Sequence, residues 1–413
     1  MEENNKCLKY YKVSAYRNLR NLFRLLKKGI CRSCKIFYCR NLEKYNSVNY
    51  LHVLGHCELK FNKSLVDEIN RNEFPFNNKE HLFITPHWDV YFALRQYKNV
   101  FYVDKWNARE LNRLSYLGKW IFIHALNFNE YERSMISEEV APRIIWRTWG
   151  HDITNYPRAI VNEKNTTQKI ILEKAYMVIK QFYAIGGGND VDLININESI
   201  GRVKYFRMPY SFDIILDEFK VEKKSENRSV RILVGHYASR GDRLLECLTY
   251  LRKFKEKAIK IYLITSYADN DKEYVNLVRK YARENYGEKV IFIDKFLPKI
   301  EYVRFLQSID IAIMDQMGSA ALGNIAWLLY FDKKIFLNRK GILKKAFEMH
   351  NLVYSFTDEI ESMSYEEFIK PVKNSQESKK DIQFHDKTEN LECWNKIFKE
   401  IENSQKVCDS AGD

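Results

Sequence analysis

The sequence lacks any apolar run of the roughly 18–20 residues that a helix needs to cross a bilayer. Its N-terminus also lacks the apolar core and cleavage site of a secretory signal. Eight cysteines occur in 413 residues without a regular framework, which is typical of proteins in a reducing compartment. These absences predict a cytoplasmic protein. The basic segment described below adds the prediction that it lies peripherally on the inner face of the cell membrane.

Several cofactor and metal motifs are also missing or incomplete. No GxGxxG motif is present, so a dinucleotide oxidoreductase is poorly supported. The single short spacing Cys31-x-x-Cys34 has no second pair, so it does not predict a zinc site. The patterns Asp190-x-Asp192 and Asp269-x-Asp271 could bind a divalent metal, but short acidic matches are common in a chain with 54 acidic residues. We therefore predict no metal and no cofactor, with a metal-dependent sugar transferase as one alternative.

Positive charge is concentrated at the start of the chain. The net charge is +13, and residues 1–47 contribute 12 − 3 = +9 of it. Within this segment, residues 15–30 place apolar side chains at helical spacing and basic side chains between them, which predicts a basic amphipathic helix. Such a helix can bind an anionic membrane surface, or it can pack its apolar stripe on the body of the protein. The body does not interleave basic and aromatic residues, so nucleic acid is not a predicted partner.

The remaining sequence predicts an α/β fold with two domains. A chain of 413 residues is too long for one ordinary core. From residue 50, short β-rich runs alternate with helical stretches, which is the pattern of parallel sheets covered on both faces. A polar, charged stretch over 217–229 interrupts that pattern and predicts a linker. The predicted segments are an N-terminal extension (1–48), a first Rossmann-like domain (49–216), the linker (217–229), a second Rossmann-like domain (230–400) and a tail (401–413).

The stretch DQMGSAALGNIAWLLY (315–330) predicts an anion site. A strand ends at Asp315, and a helix is predicted to begin near Ser319, which suits the N-cap position. Gly318 would let a ligand approach the backbone closely, and the N–H groups of the helix start would face it. Gly323 and Asn324 are poor helix formers, so something other than the helix requires them. The alternative is an ordinary capped helix.

A second strand–loop–helix site is predicted in VGHYASRGDRLLE (234–246). Gly235 permits close approach, and His236, Arg240 and Arg243 supply donors. The alternative is a surface loop with two solvated arginines. Two such sites in one domain suggest a nucleotide diphosphate bound at the carboxyl ends of its strands.

The stretch PRIIWRTWGHD (142–152) predicts a strand that delivers titratable groups to a cleft. Trp149, Gly150, His151 and Asp152 fall at its carboxyl end. His151 or Asp152 could take a proton from a sugar hydroxyl. The alternative is a strand end with tryptophans in the core and two solvated polar residues. In TPHWD (85–89), His87 and Asp89 form a similar group and compete for the same role.

These motifs resemble one bacterial enzyme family. The chain is similar to the transferases of 4-acetamido-4,6-dideoxygalactose (N-acetylfucosamine), which include TDP-N-acetylfucosamine:lipid II transferases and are 4-alpha-L-fucosyltransferase-like. The segments that carry the resemblance are YLHVLG (50–55), IHALNFN (123–129), IIWRTWGHDI (144–153), RILVGHYASRGDRLLECL (231–248) and ALGNIAWLLYFDKKIFLNR (321–339).

The resemblance implies an inverting GT-B glycosyltransferase whose two Rossmann-like domains face a central cleft. It implies metal-independent transfer of an amino-deoxy sugar from TDP or UDP to a polyprenyl-diphosphate-linked glycan, in surface polysaccharide synthesis. The family's Gly-x-Asp after its tryptophan pair carries over to Gly150 and Asp152.

Combining residues and resemblance, we assign three groups of site residues. The catalytic group is Asp152 and His151. The donor-binding group is Gly235, His236, Arg240, Gly318, Ser319, Gly323 and Asn324. The acceptor-binding group is Trp146, Trp149 and Gly150. The alternative function is a membrane-associated, non-catalytic binding protein with a transferase-like fold.

Overall fold

The computed structural model describes residues 42, 47–57, 59–72, 75–150, 152–209, 228–266, 271–375 and 387–410. The predicted basic helix at 15–30, most of the predicted linker and His151 lie outside these residues. The chain divides into two compact units, Met1–Ile144 and Ile145–Asp413.

The first unit contains parallel strands in the order β3-β2-β1-β4. The strands are β1 (Val48–Leu54), β2 (His81–Thr85), β3 (Val100–Tyr102) and β4 (Gly118–His124), and the helices are α1 (Leu59–Asn70), α2 (Trp88–Leu94), α3 (Ala108–Leu114) and α4 (Glu130–Arg133). From β1 the chain builds the sheet in one direction through β2 and β3, and then returns to place β4 on the other side of β1. The boundary between β1 and β4 is therefore a topological switch point.

A chain of three buried histidines runs across strands β2, β1 and β4. His52 Nδ1 lies 3.0 Å from His124 Nε2, and His52 Nε2 lies 2.9 Å from His81 Nδ1. The His52 ring also stacks on Phe83 and Phe122, with centroids 4.8 and 4.9 Å away. Burial lowers the pKa of His52 well below its ordinary value, and His81 and His124 lower it further. Burial also lowers the pKa of His81 to about 3. Because both pKa values lie so far below neutrality, His52 and His81 are uncharged in the folded protein at neutral pH.

The second unit begins with strands β5 (Ile144–Arg147), β6 (Ala184–Gly187) and β7 (Tyr205–Arg207), which pair in parallel in that order. The helices in this region are α5 (Tyr156–Asn162), α6 (Thr166–Lys180) and α7 (Asp190–Ser199). The glycine-rich stretch AIGG forms β6. The sequence VDLININ after it lies in the ten-residue helix α7. Asn189 caps that helix by accepting from the Asp192 amide.

The described residues after 228 form a six-stranded parallel sheet in the order β10-β9-β8-β11-β12-β13. The strands are β8 (Val230–Val234), β9 (Ile259–Ile264), β10 (Val290–Ile293), β11 (Ile311–Met314), β12 (Lys334–Leu337) and β13 (Ser355–Phe356). The helices are α8 (Leu244–Leu251), α9 (Lys272–Tyr286), α10 (Lys299–Ser308), α11 (Leu322–Tyr330), α12 (Ile342–Met349), α13 (Tyr365–Ile369) and α14 (Lys387–Ser410). Successive strand residues enter opposite cores: Ile311 and Ile313 face one cluster, whereas Ala312 and Met314 face the other. The predicted α/β class is confirmed.

Helix α14 returns to the strands at the start of the second unit. Trp394 is buried, and its Nε1 donates to the Pro209 carbonyl (3.1 Å). Lys204 pairs with Glu400 at 2.8 Å. The helix continues through the region predicted as a tail, and Ile401 is fully buried.

The stretch NARELNRLSYLGKW predicts a single helix over 107–120, but the helix of the structure is shorter. Helix α3 ends at Leu114, and residues 118–120 already belong to β4. Gly118 explains this boundary, because a Cβ there would lie 2.5 Å from the Leu51 Cβ of the neighbouring strand β1. The close approach of two strands, which the sequence does not display, overrides the helical pattern.

Gly186→Ala is expected to destabilise the second unit by about 1–3 kcal/mol, because an added methyl would overpack a strand interface. A Cβ at Gly186 would lie 2.0 Å from the Phe206 carbonyl oxygen in the paired strand β7. The free energy of unfolding in urea measures the effect. Gly188→Ala is the matched control, because its nearest neighbour, Arg147 Nη2, lies at an ordinary 3.5 Å. Equal stability of the two variants would contradict the prediction.

Candidate functional site

The carboxyl ends of β8 and β11 meet at the switch point of the six-stranded sheet, where open α/β sheets bind ligands. Gly235 follows β8, and its N–H donates to the Ile313 carbonyl of β11 (2.9 Å). Its φ is +69°, and a Cβ there would lie 2.4 Å from Leu244 Cδ2. Only glycine fits both the backbone and the space at this position.

Asp242 organises the loop that follows Gly235. It is buried, and its Oδ2 accepts from the backbone N–H groups of His236 (3.1 Å) and Tyr237 (2.9 Å). Its other oxygen lies 2.9 Å from His236 Nδ1. The predicted donor residue His236 is therefore fixed by a buried carboxylate that our assignment from sequence missed.

The two arginines of this loop differ in their surroundings. Arg240 has a mostly exposed side chain, and its Nε donates to Asp271 Oδ2 (2.7 Å) at the start of α9. Arg243 has a φ of +52° and places its Nη1 3.4 Å from Asp315 Oδ2, at the end of β11. Arg243, which the sequence offered as a donor of this loop but which our final assignment of site residues left out, is the arginine that contacts the end of β11.

Asp315 itself is buried, and burial raises its pKa. The Arg243 guanidinium and the hydrogen bonds from Asn338 and Thr357 oppose that rise. The carboxylate is thus a fixed structural partner of Arg243.

The helix after β11 begins later than predicted. Helix α11 starts at Leu322, and its N-cap is Ala321, which has a φ of +65°, so the prediction that Ser319 caps this helix is wrong. No side chain caps the N-terminus, and the N–H groups of residues 322–324 precede the first hydrogen bond of the helix, from Ile325 to Ala321 (2.9 Å). An uncapped helix start of this kind is suited to an anion.

The space beside this helix start is open. A Cβ at either Gly318 or Gly323 would meet no atom within 4 Å. Gln316, just before the turn, is buried and donates from Nε2 to the Ala320 carbonyl (3.0 Å). Its Oε1 has no hydrogen-bond partner in the described part of the chain. The turn therefore has open space beside its backbone. It also has a buried side-chain oxygen, Gln316 Oε1, that makes no hydrogen bond in the described part of the chain.

The loop after β5 reaches the same turn. Gly150 has a φ of +81°, and a Cβ there would lie 3.0 Å from Ser319 Oγ. Trp149, which precedes it, is half-buried, with the Arg147 guanidinium 3.8 Å from its ring centre. The structure thus brings together Gly150, which we assigned to the acceptor, and Ser319, which we assigned to the donor.

Two assigned residues of β5 and its loop have structural partners. Trp146 is fully buried, so the prediction that it contacts an acceptor is wrong. Its Nε1 donates to Asp152 Oδ2 (2.9 Å), and the Trp149 N–H donates to Asp152 Oδ1 (2.7 Å). Asp152 is buried and holds the Trp149 loop through both carboxylate oxygens. Its role as a base stays a prediction, and His151 lies outside the described residues.

The acidic pair Asp190 and Asp192 points to different partners. Asp190 Oδ2 lies 3.3 Å from His350 Nε2. Asp192 is buried, and its Oδ2 accepts from the Gly188 N–H (2.7 Å). Burial raises the pKa of Asp192, and the Arg147 guanidinium opposes that rise. Among the described residues, no group of three or more histidine, cysteine and acidic side chains is arranged to hold a metal, and Asp269 lies outside them.

Asp152→Asn is expected to destabilise the second unit by about 1–3 kcal/mol, because the amide NH₂ must face one of two N–H donors and leave it unsatisfied. Urea unfolding measures this loss. Glu173→Gln on the exposed surface of α6 is the matched control and should change stability little. If Asp152→Asn unfolds at the wild-type urea concentration, the two hydrogen bonds do not hold the loop.

A comparison with protein families matches most of the chain. The family model described as "4-alpha-L-fucosyltransferase glycosyl transferase group 56" matches residues 117–402. No curated protein sequence matches the chain.

Solved structures show the same fold at low sequence identity. An α,α-trehalose-phosphate synthase (UDP-forming) from Burkholderia vietnamiensis is 10% identical, with a TM-score of 0.57 over 89% of this chain and 100% of that one. Anabaena Alr3699/HepE, solved with UDP-glucose, is 12% identical, with a TM-score of 0.54 over 85% and 99%. A glycosyltransferase from Rickettsia africae is 9% identical, with a TM-score of 0.52 over 77% and 86%. The predicted GT-B-like fold class is confirmed.

Proposed function

We propose a function from one premise: this chain belongs to the 4-alpha-L-fucosyltransferase family, glycosyl transferase group 56. It is a glycosyltransferase. We propose that its donor is an N-acetylfucosamine-like amino-deoxy sugar on TDP or UDP, and that its acceptor is a polyprenyl-diphosphate-linked glycan of a bacterial surface polysaccharide. We propose that transfer inverts the anomeric centre.

The observation that carries this proposal is the uncapped start of α11. The N–H groups of residues 322–324 precede the helix's hydrogen bonds, and Gly318 and Gly323 leave open space beside them. A diphosphate placed there would accept from these amides and would meet the positive end of the helix dipole. The donor's leaving group is a diphosphate, and its developing negative charge is what such a site stabilises.

The other donor residues surround this turn in our proposal. Gly235 and His236 follow the adjacent strand β8, and Ser319 lies in the turn itself. Arg243 contacts the end of β11, so it is better placed than the exposed Arg240 to neutralise the diphosphate. We keep Arg240 and Asn324 as donor residues, the first at the rim and the second at the helix start.

On the acceptor side, the proposal retains Trp149 and Gly150. Both Asp152 oxygens accept N–H groups, which favours a positioning role for this carboxylate over proton abstraction. His151, the other base assigned from sequence, lies outside the described residues.

We also propose that the chain lies peripherally on the cytoplasmic face of the membrane through residues 1–48. Those residues carry the excess of positive charge, and nearly all of them lie outside the described part of the chain. No helix in the described ranges is long and apolar enough to cross a membrane. Sedimentation with vesicles of anionic lipid, with and without residues 1–48, tests the membrane contact.

The experiment that tests the function combines binding and transfer. Calorimetry with TDP and with UDP should show binding of at least one nucleotide to the full chain. TDP- or UDP-N-acetylfucosamine and a farnesyl-diphosphate-linked N-acetylglucosaminyl glycan should yield a longer glycan with an inverted anomeric centre, read by NMR. Absence of nucleotide binding would favour the non-catalytic alternative. Loss of transfer in EDTA would favour the metal-dependent one.

A further inference from the structure

A cluster at the carboxyl ends of the first unit's strands is not used by the site described above. Gly55 follows β1, and its N–H donates to the His124 carbonyl of β4 (2.8 Å). His87 follows β2, and its Nε2 donates to the Gly55 carbonyl (2.8 Å). Asn127 follows β4, and its Nδ2 donates to the same carbonyl (2.8 Å). Two side chains thus converge on one backbone oxygen at the β1–β4 switch point, where parallel sheets bind ligands.

These contacts fix the tautomer of His87. A carbonyl oxygen only accepts hydrogen bonds, so Nε2 carries the proton in the neutral imidazole and Nδ1 carries the lone pair. No described residue makes a hydrogen bond to Nδ1, and the side chain is half-buried. His87 is therefore an oriented imidazole whose proton-accepting nitrogen is not used by the fold. In contrast, Asp152 uses both of its oxygens.

The backbone around this cluster is tightly constrained. Ala125 follows β4 with a φ of +75°, which is rare for a residue with a side chain. A Cβ at Gly55 would lie 2.1 Å from the Ala125 carbonyl oxygen, so the two chain segments can approach only because residue 55 is glycine. Strained backbone held by its surroundings is concentrated at functional sites, and here it fixes the carbonyl that orients His87.

Two half-buried tryptophans follow neighbouring strands. Trp88 comes directly after His87 and packs edge-on against Tyr102, with centroids 5.1 Å apart. Trp106 follows β3 and packs on Phe128 of the β4 loop, with centroids 5.7 Å apart. Rigid aromatic faces beside a few fixed polar groups are the usual lining of a small-molecule site. Sugar rings, which carry both C–H faces and hydroxyl edges, suit such a lining.

We propose that Gly55, His87, Trp88, Trp106 and Asn127 form the subsite for the sugar ring that accepts the new residue, and that His87 is the catalytic base. This proposal rests on the glycosyl transfer proposed above. His87 Nδ1 takes the proton of the acceptor hydroxyl as the hydroxyl oxygen forms its bond to the anomeric carbon. The bond from that carbon to the diphosphate oxygen breaks, and the diphosphate leaves with the electron pair. The proton remains on the imidazole, and solvent removes it after product release.

The test compares two variants that act on the same carbonyl. His87→Gln can still donate to the Gly55 carbonyl but cannot serve as a base, whereas Asn127→Ala removes the other donor. With the donor and farnesyl-linked acceptor named above, His87→Gln should lower kcat by about 10²- to 10⁴-fold, the usual contribution of a general base. Asn127→Ala should lower it by less than about tenfold, a cost of the size of one hydrogen bond. Calorimetry with TDP and UDP should give the wild-type Kd for both variants.

Two further measurements separate a base from a structural side chain. Added imidazole should restore part of the activity of His87→Ala. In the free full-length protein, ¹⁵N NMR of the histidine side chains should show His87 as the tautomer protonated at Nε2. Melting temperatures identify any variant that fails to fold, in which case the NMR measurement on the wild type still decides the tautomer.

The outcomes of these experiments distinguish the assignment of His87 as the base from the proposed function. If wild-type protein transfers sugar and His87→Gln keeps its rate, or if only His151→Gln abolishes turnover, the assignment of His87 is overturned while the proposed function stands. Equal losses of kcat in His87→Gln and Asn127→Ala would show that His87 only holds the Gly55 carbonyl in place. If the wild type binds neither nucleotide and transfers no sugar, both the proposed function and the assignment of His87 as the base are wrong.

Discussion

Gly323→Ala is expected to make the protein more stable and less active at the same time. Residue 323 lies in the first turn of α11, where alanine is favoured over glycine by about 0.5–1 kcal/mol. The new methyl meets no atom of the free protein within 4 Å, so it creates no strain. It does occupy the space that we propose for the donor diphosphate. We therefore expect kcat/KM to fall by about 10²-fold, as when one donor to a developing anion is lost, and the melting temperature to rise by about 1–3 °C.

Thr167→Ala is the matched control for this experiment. Thr167 lies on the exposed surface of α6, and alanine is a better helix former there as well. This variant should gain stability and keep the wild-type rate and nucleotide affinity. Calorimetry with UDP and TDP, thermal unfolding and steady-state transfer give the three quantities for each variant. Full activity of Gly323→Ala, with an unchanged nucleotide Kd, would show that the diphosphate does not lie at the start of α11.

Lowering the pH from 6.5 to 4.5 is expected to destabilise the first unit, by up to about 2.7 kcal/mol through the buried His81 alone. The pKa of His52 lies well below its ordinary value of 6.5, and that of His81 is about 3. Between pH 6.5 and the folded-state pKa values, the unfolded chain therefore binds more protons than the folded chain. The contribution of the two histidines to stability is full above pH 6.5 and is lost as the pH falls towards their folded-state pKa values.

Urea unfolding followed by a probe in the first unit measures this dependence at several pH values. His81→Gln removes one titrating group, so its free energy of unfolding should fall less steeply with acid, by up to about 1.4 kcal/mol per pH unit. His350, which follows α12 in the second unit, offers the control His350→Gln, which should leave the slope for the first unit unchanged. An NMR titration in which the His52 and His81 rings of the folded protein gain protons near pH 6.5 would contradict the prediction.

In the second unit, two carboxyl groups shift the pH dependence in the opposite direction. Burial raises the pKa values of Asp192 and Asp315 above the ordinary value. Each therefore binds a proton in the folded protein at a higher pH than in the unfolded chain, which adds stability as the pH falls through the raised pKa. The two units should consequently respond to acid differently, and a probe placed in each unit is needed to follow them.

Much of the fold could be predicted from local sequence. The stretch TTQKIILEKAYMVIK predicts a helix over 166–180, and α6 has these limits. Strands β8 and β11 lie within the β-rich runs VRILVG (230–235) and DIAIMD (310–315). The limits of long periodic segments are predicted correctly because the spacing of their apolar residues directly reflects which side chains are buried. Residues 118–120 were wrongly predicted as helix for a different reason. The packing of Gly118 on a neighbouring strand is not visible in the helical pattern of the sequence.

The site was harder to predict, because its contacts join distant positions. Trp146 and Trp149 look alike in the sequence, but the first is fully buried and the second is not. The start of α11 depends on Ala321 in a left-handed conformation, which no residue preference indicates. Arg243 and Asp315 are 72 positions apart and meet only because β8 and β11 are adjacent. The histidine chain likewise requires the register of three strands.

The return of α14 to the start of the second unit has a consequence for how the polypeptide is made. The surface near Pro209 stays uncovered until Trp394 has left the ribosome, after about 180 further residues. At bacterial and eukaryotic synthesis speeds that delay is roughly 10–35 s. During this interval the Pro209 carbonyl of a nascent chain lacks the indole N–H that donates to it in the folded protein. A premature stop codon shortly before residue 387 would thus release a product that lacks its closing element, and cellular quality control would meet it as an incomplete protein.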